Sequence, residues 1–129
     1  MSFLKIYGIA LLVFLIVDGI WLGLVAKNFY SKELGFLLRE TPNWWAAIVF
    51  YLFFIGALVF FVINPALEKE SLRYLIIAAV LFGTVTYATY DLTNLATIKD
   101  WPLKVTIIDI IWGGFLATFV SLVTYFLVR

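Results

Sequence analysis

The sequence predicts an all-α fold: an integral membrane bundle of four transmembrane helices, one domain over residues 1–129, with a short interfacial helix between the first and second. Three observations carry this. Of 129 residues, 65% are hydrophobic, 19% aromatic and only 13% charged, with a mean hydropathy of +1.10, more apolar surface than a soluble core of this size can hide. Four apolar stretches each reach the about 20 residues that roughly 30 Å of hydrocarbon requires. The breaks between them hold most of the charges, with prolines and tryptophans at their edges, as turns at the headgroup level should.

The first span is expected over 4–26. Lys5 ahead of an apolar run imitates a signal peptide, but the run is too long and no A-x-A-like site precedes Lys27, so it is read as a membrane crossing. Lys27 to Glu40 mixes Phe29, Leu34, Leu37 and Leu38 with charges, the composition of an interfacial helix. Thr41-Pro42-Asn43 breaks the chain, and Trp44 and Trp45 mark re-entry. The second span, 44–64, shows no ionisable side chain between Trp45 and Asn64, which assigns it to lipid or another subunit. Asn64-Pro65 should end it, and Ala66 to Arg73 is a charged link. The third span, 74–97, and the fourth, 104–128, are joined by a turn at Asp100-Trp101-Pro102, with Trp101 as an interfacial anchor.

Four crossings place both termini and the 66–73 link on one face, the terminal face, and the segments 27–43 and 98–103 on the other, the loop face. Cations divide evenly: Lys5, Lys69, Arg73, Arg129 and the amino terminus against Lys27, Lys32, Arg39, Lys99 and Lys104. Orientation is therefore unassigned. Net charge is +1 with no basic block, so nucleic acid is not an implied partner. There is no cysteine and no histidine, which excludes thiolate or imidazole metal ligation, disulfides and every His-based triad. No cofactor and no metal is called for.

The chemistry-bearing feature is acidic. Asp18, Asp91 and Asp109 lie inside the first, third and fourth spans, at a joint cost of roughly 8 to 10 kcal/mol unless paired, hydrated or protonated. Chain direction sets all three about 7 to 12 Å below the loop-face boundary at 1.5 Å per residue. Thr84, Tyr87, Asp91 and Asn94 form one helical stripe, with Thr86, Tyr90, Thr93 and Thr97 beside it, making the third helix the polar wall. Asp18-x-x-Trp21 and Asp109-x-x-Trp112 are each followed by glycine, like diverged copies running in opposite directions. Gly19 and Gly23, Gly113 and Ala117, and Gly114 and Thr118 have the spacing of close helix packing. Most threonine hydroxyls should bond their own helix. Against a site stands a structural reading, in which the aspartates form a buried network with Asn94, Lys27 and Lys104 that fixes the packing.

The run Thr86-Tyr87-Ala88-Thr89-Tyr90-Asp91-Leu92-Thr93-Asn94-Leu95-Ala96-Thr97, followed by Trp101-Pro102, Lys104 and Asp109-x-x-Trp112-Gly113, resembles the bacterial membrane family called domain of unknown function 2177. An early D-x-x-W-L-G and K-N-F-Y extend the resemblance over essentially the whole chain. It implies a small four-helix protein, multi-pass in the bacterial cytoplasmic (inner) membrane. It also picks out Asp18, Trp21, Tyr90, Asp91, Asn94, Trp101, Pro102, Lys104, Asp109 and Trp112, and supplies no substrate.

The binding site expected from these readings comprises Asp18, Trp21, Tyr87, Tyr90, Asp91, Asn94, Lys104, Asp109 and Trp112. Because the charges within the membrane are acidic and the wall is rich in hydroxyls, the first expectation is binding or transport of a cation, proton or cationic small solute. A membrane-embedded enzyme acting on lipid headgroups is the alternative, with aspartates and Asn94 around a hard divalent ion or as acid and base, and Lys27 and Lys104 on a phosphate. The third is an accessory subunit of a larger membrane complex. Membrane lipid is the expected partner. A conduction path through so small a bundle would require a homo-oligomer.

Overall fold

The computed structural model describes residues 2–38 and 43–129; the expected break at Thr41-Pro42, with Arg39 and Glu40, lies outside them. Helix α1 (Phe3–Ile20) starts at Ser2, whose hydroxyl accepts from the Lys5 N–H, a standard N-cap. Every fourth residue faces inward: Ile6, Ala10, Phe14 and Asp18 are buried. The stripe that builds the core thus delivers Asp18 to the interior. A π-helical stretch, Trp21–Ala26, then leads directly into α2 (Lys27–Leu34). The expected interfacial helix is therefore a continuation of the first span, shorter than 27–40.

Helix α3 (Trp44–Leu58) is capped by the Asn43 side chain, which accepts from the Ala46 N–H. It does not end at Asn64-Pro65. It passes through a second π-helical stretch, Val59–Ile63, into α4 (Asn64–Lys69), and stops at Glu70, which takes left-handed dihedrals. Pro65 lacks the N–H that would bond the Phe61 carbonyl four residues back. The Tyr74 hydroxyl donates to that carbonyl instead, at 2.8 Å, and the wide turn absorbs the steric clash. The charged link shrinks to Glu70-Ser71.

Ser71 caps α5 (Leu72–Thr97), and α6 (Leu103–Val128) follows a tight turn with Asp100 at φ 63°. At 26 residues each, these helices extend about 39 Å. Among the described residues, four helices are long and apolar enough to cross a membrane: Phe3–Leu24, Trp44–Lys69, Leu72–Thr97 and Leu103–Val128.

The α5–α6 hairpin is the tightest contact. A Cβ on Gly83 would lie 2.2 Å from the Gly113 carbonyl oxygen, and one on Gly113 would lie 2.3 Å from the Tyr87 ring. The spacing at Gly113 and Gly114 thus serves close packing. Gly19 and Gly23 do not: a Cβ on either meets nothing within 4 Å. On the other side of α6 sits α1, and α3 packs on α1.

The second span is not a peripheral helix, as its apolar sequence suggested. Phe54, Ile55, Leu58, Val59, Val62 and Ile63 are buried in the main core, and Val59–Ile63 touches α1, α5 and α6. Its loop-face half differs. From Trp44 to Phe53 every side chain except Ala47 and Tyr51 is exposed, so the bundle is closed toward the terminal face and open toward the loop face.

Candidate functional site

The open end is a cavity of about 380 Å³ lined from α1, α2, α3, α5 and α6. Its floor is acidic. Asp18 and Asp109 both line it, and the Asp18 carboxyl lies beside the Trp112 indole and the Tyr51 hydroxyl. Asp91 is fully buried next to Asp109, and neither of its oxygens has a hydrogen-bond partner. Two adjacent acids, one fully buried and the other on the cavity wall, require a proton or a cation between them. A single proton shared by the pair meets this requirement, and a cation drawn from the cavity is the alternative.

The walls are aromatic. Trp21 and Trp112 stack with centroids 4.2 Å apart and planes 9° from parallel, so the two D-x-x-W segments meet through their tryptophans. Tyr51, Tyr87, Tyr90, Phe50 and Trp101 complete the lining. Helix α2 forms the roof: the Tyr30 hydroxyl donates to Asp109 Oδ1, and Leu34 packs with Trp101 and Val105, flanked by Phe29. Trp101 is held in turn by its indole N–H, which donates to Thr106 Oγ1 at 3.0 Å. Burial, reinforced by the Asp109 carboxyl, pushes the Tyr30 phenol above the usual tyrosine range, so it remains a hydrogen-bond donor.

A family model described as a predicted membrane protein, DUF2177, matches residues 3–126. The chain belongs to the DUF2177 family. No curated protein and no solved structure matches it, so the family contributes the membrane class, and the residues must supply the chemistry.

In this DUF2177 chain the nine expected site residues separate by depth. Asp18, Trp21, Tyr87, Tyr90, Asp109 and Trp112 line the cavity, and Asp91 lies behind Asp109. Asn94 stands one turn above, beside Tyr90, and is not part of the lining. Lys104 is exposed, with its Nζ 5.8 Å from the Phe29 ring centroid, and Lys27 is exposed as well. Lys104 belongs to the surface because it is the second residue of α6, and Lys27 because it lies beyond the apolar span, where the first helix has left the hydrocarbon. The structural network of aspartates with Asn94, Lys27 and Lys104 is accordingly not the arrangement seen, since Asp91 has no partner.

The stripe Thr84, Tyr87, Asp91 faces α6, where Thr84 and Tyr87 pack on Gly114 and Gly113. Thr86, Thr89, Thr97 and Thr118 donate to carbonyls four residues back, as expected of membrane hydroxyls. Tyr30, Phe50, Tyr51 and Trp101 also line the cavity and were not among the nine, and Tyr51 is the one in a span expected to carry no site residue. It corrects the statement that the second span carries no ionisable group; its signal was a lone phenol in an apolar run. Among the described residues, no group of three or more acidic side chains is placed to hold a metal ion.

Proposed function

We propose that this membrane protein binds a cation or a small cationic solute in the loop-face cavity and carries it across the bacterial inner membrane. The observation that carries this is the composition of the lining: two carboxylates, four tyrosines and a stacked tryptophan pair, with no basic side chain among them. A carboxylate supplies charge, and aromatic faces attract a cation electrostatically, by about 2 kcal/mol or more each when desolvated. At about 380 Å³ the cavity is also in the usual size range of small-molecule sites, roughly 300–1,000 Å³. An enzyme acting on headgroups would need its phosphate-gripping lysines at the cavity, and Lys27 and Lys104 are not in the lining. Two or more copies would complete a conduction path, each contributing one cavity.

The experiment is reconstitution into proteoliposomes with tetramethylammonium as the probe. Uptake should occur with the wild-type chain and be abolished by Asp91→Asn, while far-UV circular dichroism retains its helical signal. Flux unchanged by that substitution would reject the transport reading. Quenching of tryptophan fluorescence by the probe without any flux would leave a binding protein.

A further inference from the structure

The cavity has a side arm. A second hollow of about 370 Å³ adjoins it, sharing Phe50, Tyr87, Tyr90 and Asp109 and adding Thr86 of α5. It lies between α5 and the loop-face half of α3, the part of the second span that leans on α1 and leaves the bundle open. Phe50 is 41% and Tyr90 57% exposed, and the Thr86 hydroxyl is already satisfied by the Phe82 carbonyl at 2.7 Å. Tyr90 and Thr86 stand seven and eleven residues before the end of α5, about 10 and 16 Å down the helix axis. At that depth an opening between two membrane helices leads into hydrocarbon, not water.

The two hollows differ in kind. The main chamber offers Asp18 and Asp109 with the tryptophan stack; the arm carries no charged side chain except Asp109, where the two join. We propose that the ligand is an amphiphilic ammonium compound, its cationic head between Asp18, Asp109 and the Trp21–Trp112 stack and its hydrocarbon chain lying in the arm between α3 and α5. This rests on the cation-binding reading above and names its substrate class. A fully alkylated ammonium has no N–H to satisfy, so carboxylates and aromatic faces are sufficient recognition. Its chain exchanges lipid contacts for Phe50, Thr86 and Tyr90 at little cost, because lipid tails and apolar side chains are equivalent surroundings. Such a molecule is already dissolved in the bilayer and reaches the chamber sideways, beneath the roof made by α2. The same head chemistry belongs to a choline-type lipid and to a free alkylammonium.

The test uses the full chain in nanodiscs of phosphatidylglycerol, which brings no ammonium headgroup of its own. A decyltrimethylammonium bearing a diazirine on its chain is photolysed, and labelled residues are located by mass spectrometry; a decanol with the same diazirine is the control. The charged probe should label Phe50, Thr86 and Tyr90 several-fold over the lipid-facing Leu12 and Phe119, the alcohol should label evenly, and Asp109→Asn should remove the enrichment. If that variant fails to fold, Asp18→Asn provides the same comparison. Repeating the labelling in phosphatidylcholine assigns the source: loss of the enrichment identifies the lipid as occupant, and its persistence identifies a free amphiphile. Even labelling by the charged probe, with tetramethylammonium still quenching tryptophan fluorescence, overturns this proposal and leaves the cation site standing. No response to either probe removes both.

Discussion

Replacing Gly83 by alanine is expected to destabilise the bundle by about 2 kcal/mol, although helix propensity alone favours alanine by about 0.8 to 1.0 kcal/mol. The new Cβ would sit 2.2 Å from the Gly113 carbonyl oxygen and 2.7 Å from the Ala117 Cβ. Ordinary contact begins near 3.4 Å, so α5 and α6 must separate by about 1.2 Å, the difference between 3.4 and 2.2 Å. Neither neighbour is the end of a flexible side chain that can swing away. Overpacking costs about 1 to 3 kcal/mol, and a rigid backbone partner places this case near 3, from which the propensity gain of about 1 is subtracted. Gly8→Ala is the control: its Cβ meets nothing within 4 Å, so only the propensity gain, up to about 1 kcal/mol, remains. Equilibrium unfolding in mixed micelles of rising dodecyl sulfate fraction, followed by circular dichroism, measures both. Opposite signs are expected. If Gly83→Ala gains as much as Gly8→Ala, the close approach of α5 and α6 is wrong, and with it the apposition of Asp91 and Asp109 two turns nearer the loop face.

Three further outcomes can be measured in the same preparation. Tyr74→Phe strips the Phe61 carbonyl of its donor and should cost about 1 kcal/mol; in a Pro65→Ala background, where the backbone N–H returns, the same substitution should cost nearly nothing. Tyr30→Phe breaks the bond to Asp109, worth about 1.5 to 3 kcal/mol when the acceptor is charged, and should lower hydrogen-exchange protection across α2; unchanged protection there would disprove the roof. Trp21→Leu and Trp112→Leu should each remove the same near-ultraviolet circular dichroism band and cost about 0.5 to 1.5 kcal/mol beyond lost area, and a band surviving either change would disprove the stack.

The four crossings were legible because hydrocarbon thickness imposes a length that hydropathy reports directly. The end of the second was not. Proline normally stops a helix, and only the Tyr74 hydroxyl, thirteen residues from Phe61, makes continuation through Pro65 tolerable. Asp18, Asp91 and Asp109 could be grouped because each is an expensive residue at one calculated depth. Tyr51 could not, since a tyrosine in an apolar run reads as greasy until its neighbour, Asp18, is known. Asn94 was drawn into the site by its place on the helical stripe and Lys104 by the family resemblance and its charge, and the helix ends place both close to the surface. The glycine pairs illustrate the same limit: Gly19 and Gly23 share the spacing of Gly113 and Ala117, yet only the latter pair faces a helix.

The wide turn at Trp21–Ala26 has a mechanical consequence. A π-helical stretch accommodates one residue more than regular α-helix would, and each residue turns a helix by about 100°. Tyr30 therefore points at Asp109 only while that surplus residue is stored upstream; winding the stretch into ordinary helix would rotate α2 as a unit and swing the phenol away from the acid. The bearing of the cover is thus set by a count of residues, not by any single side chain beneath it.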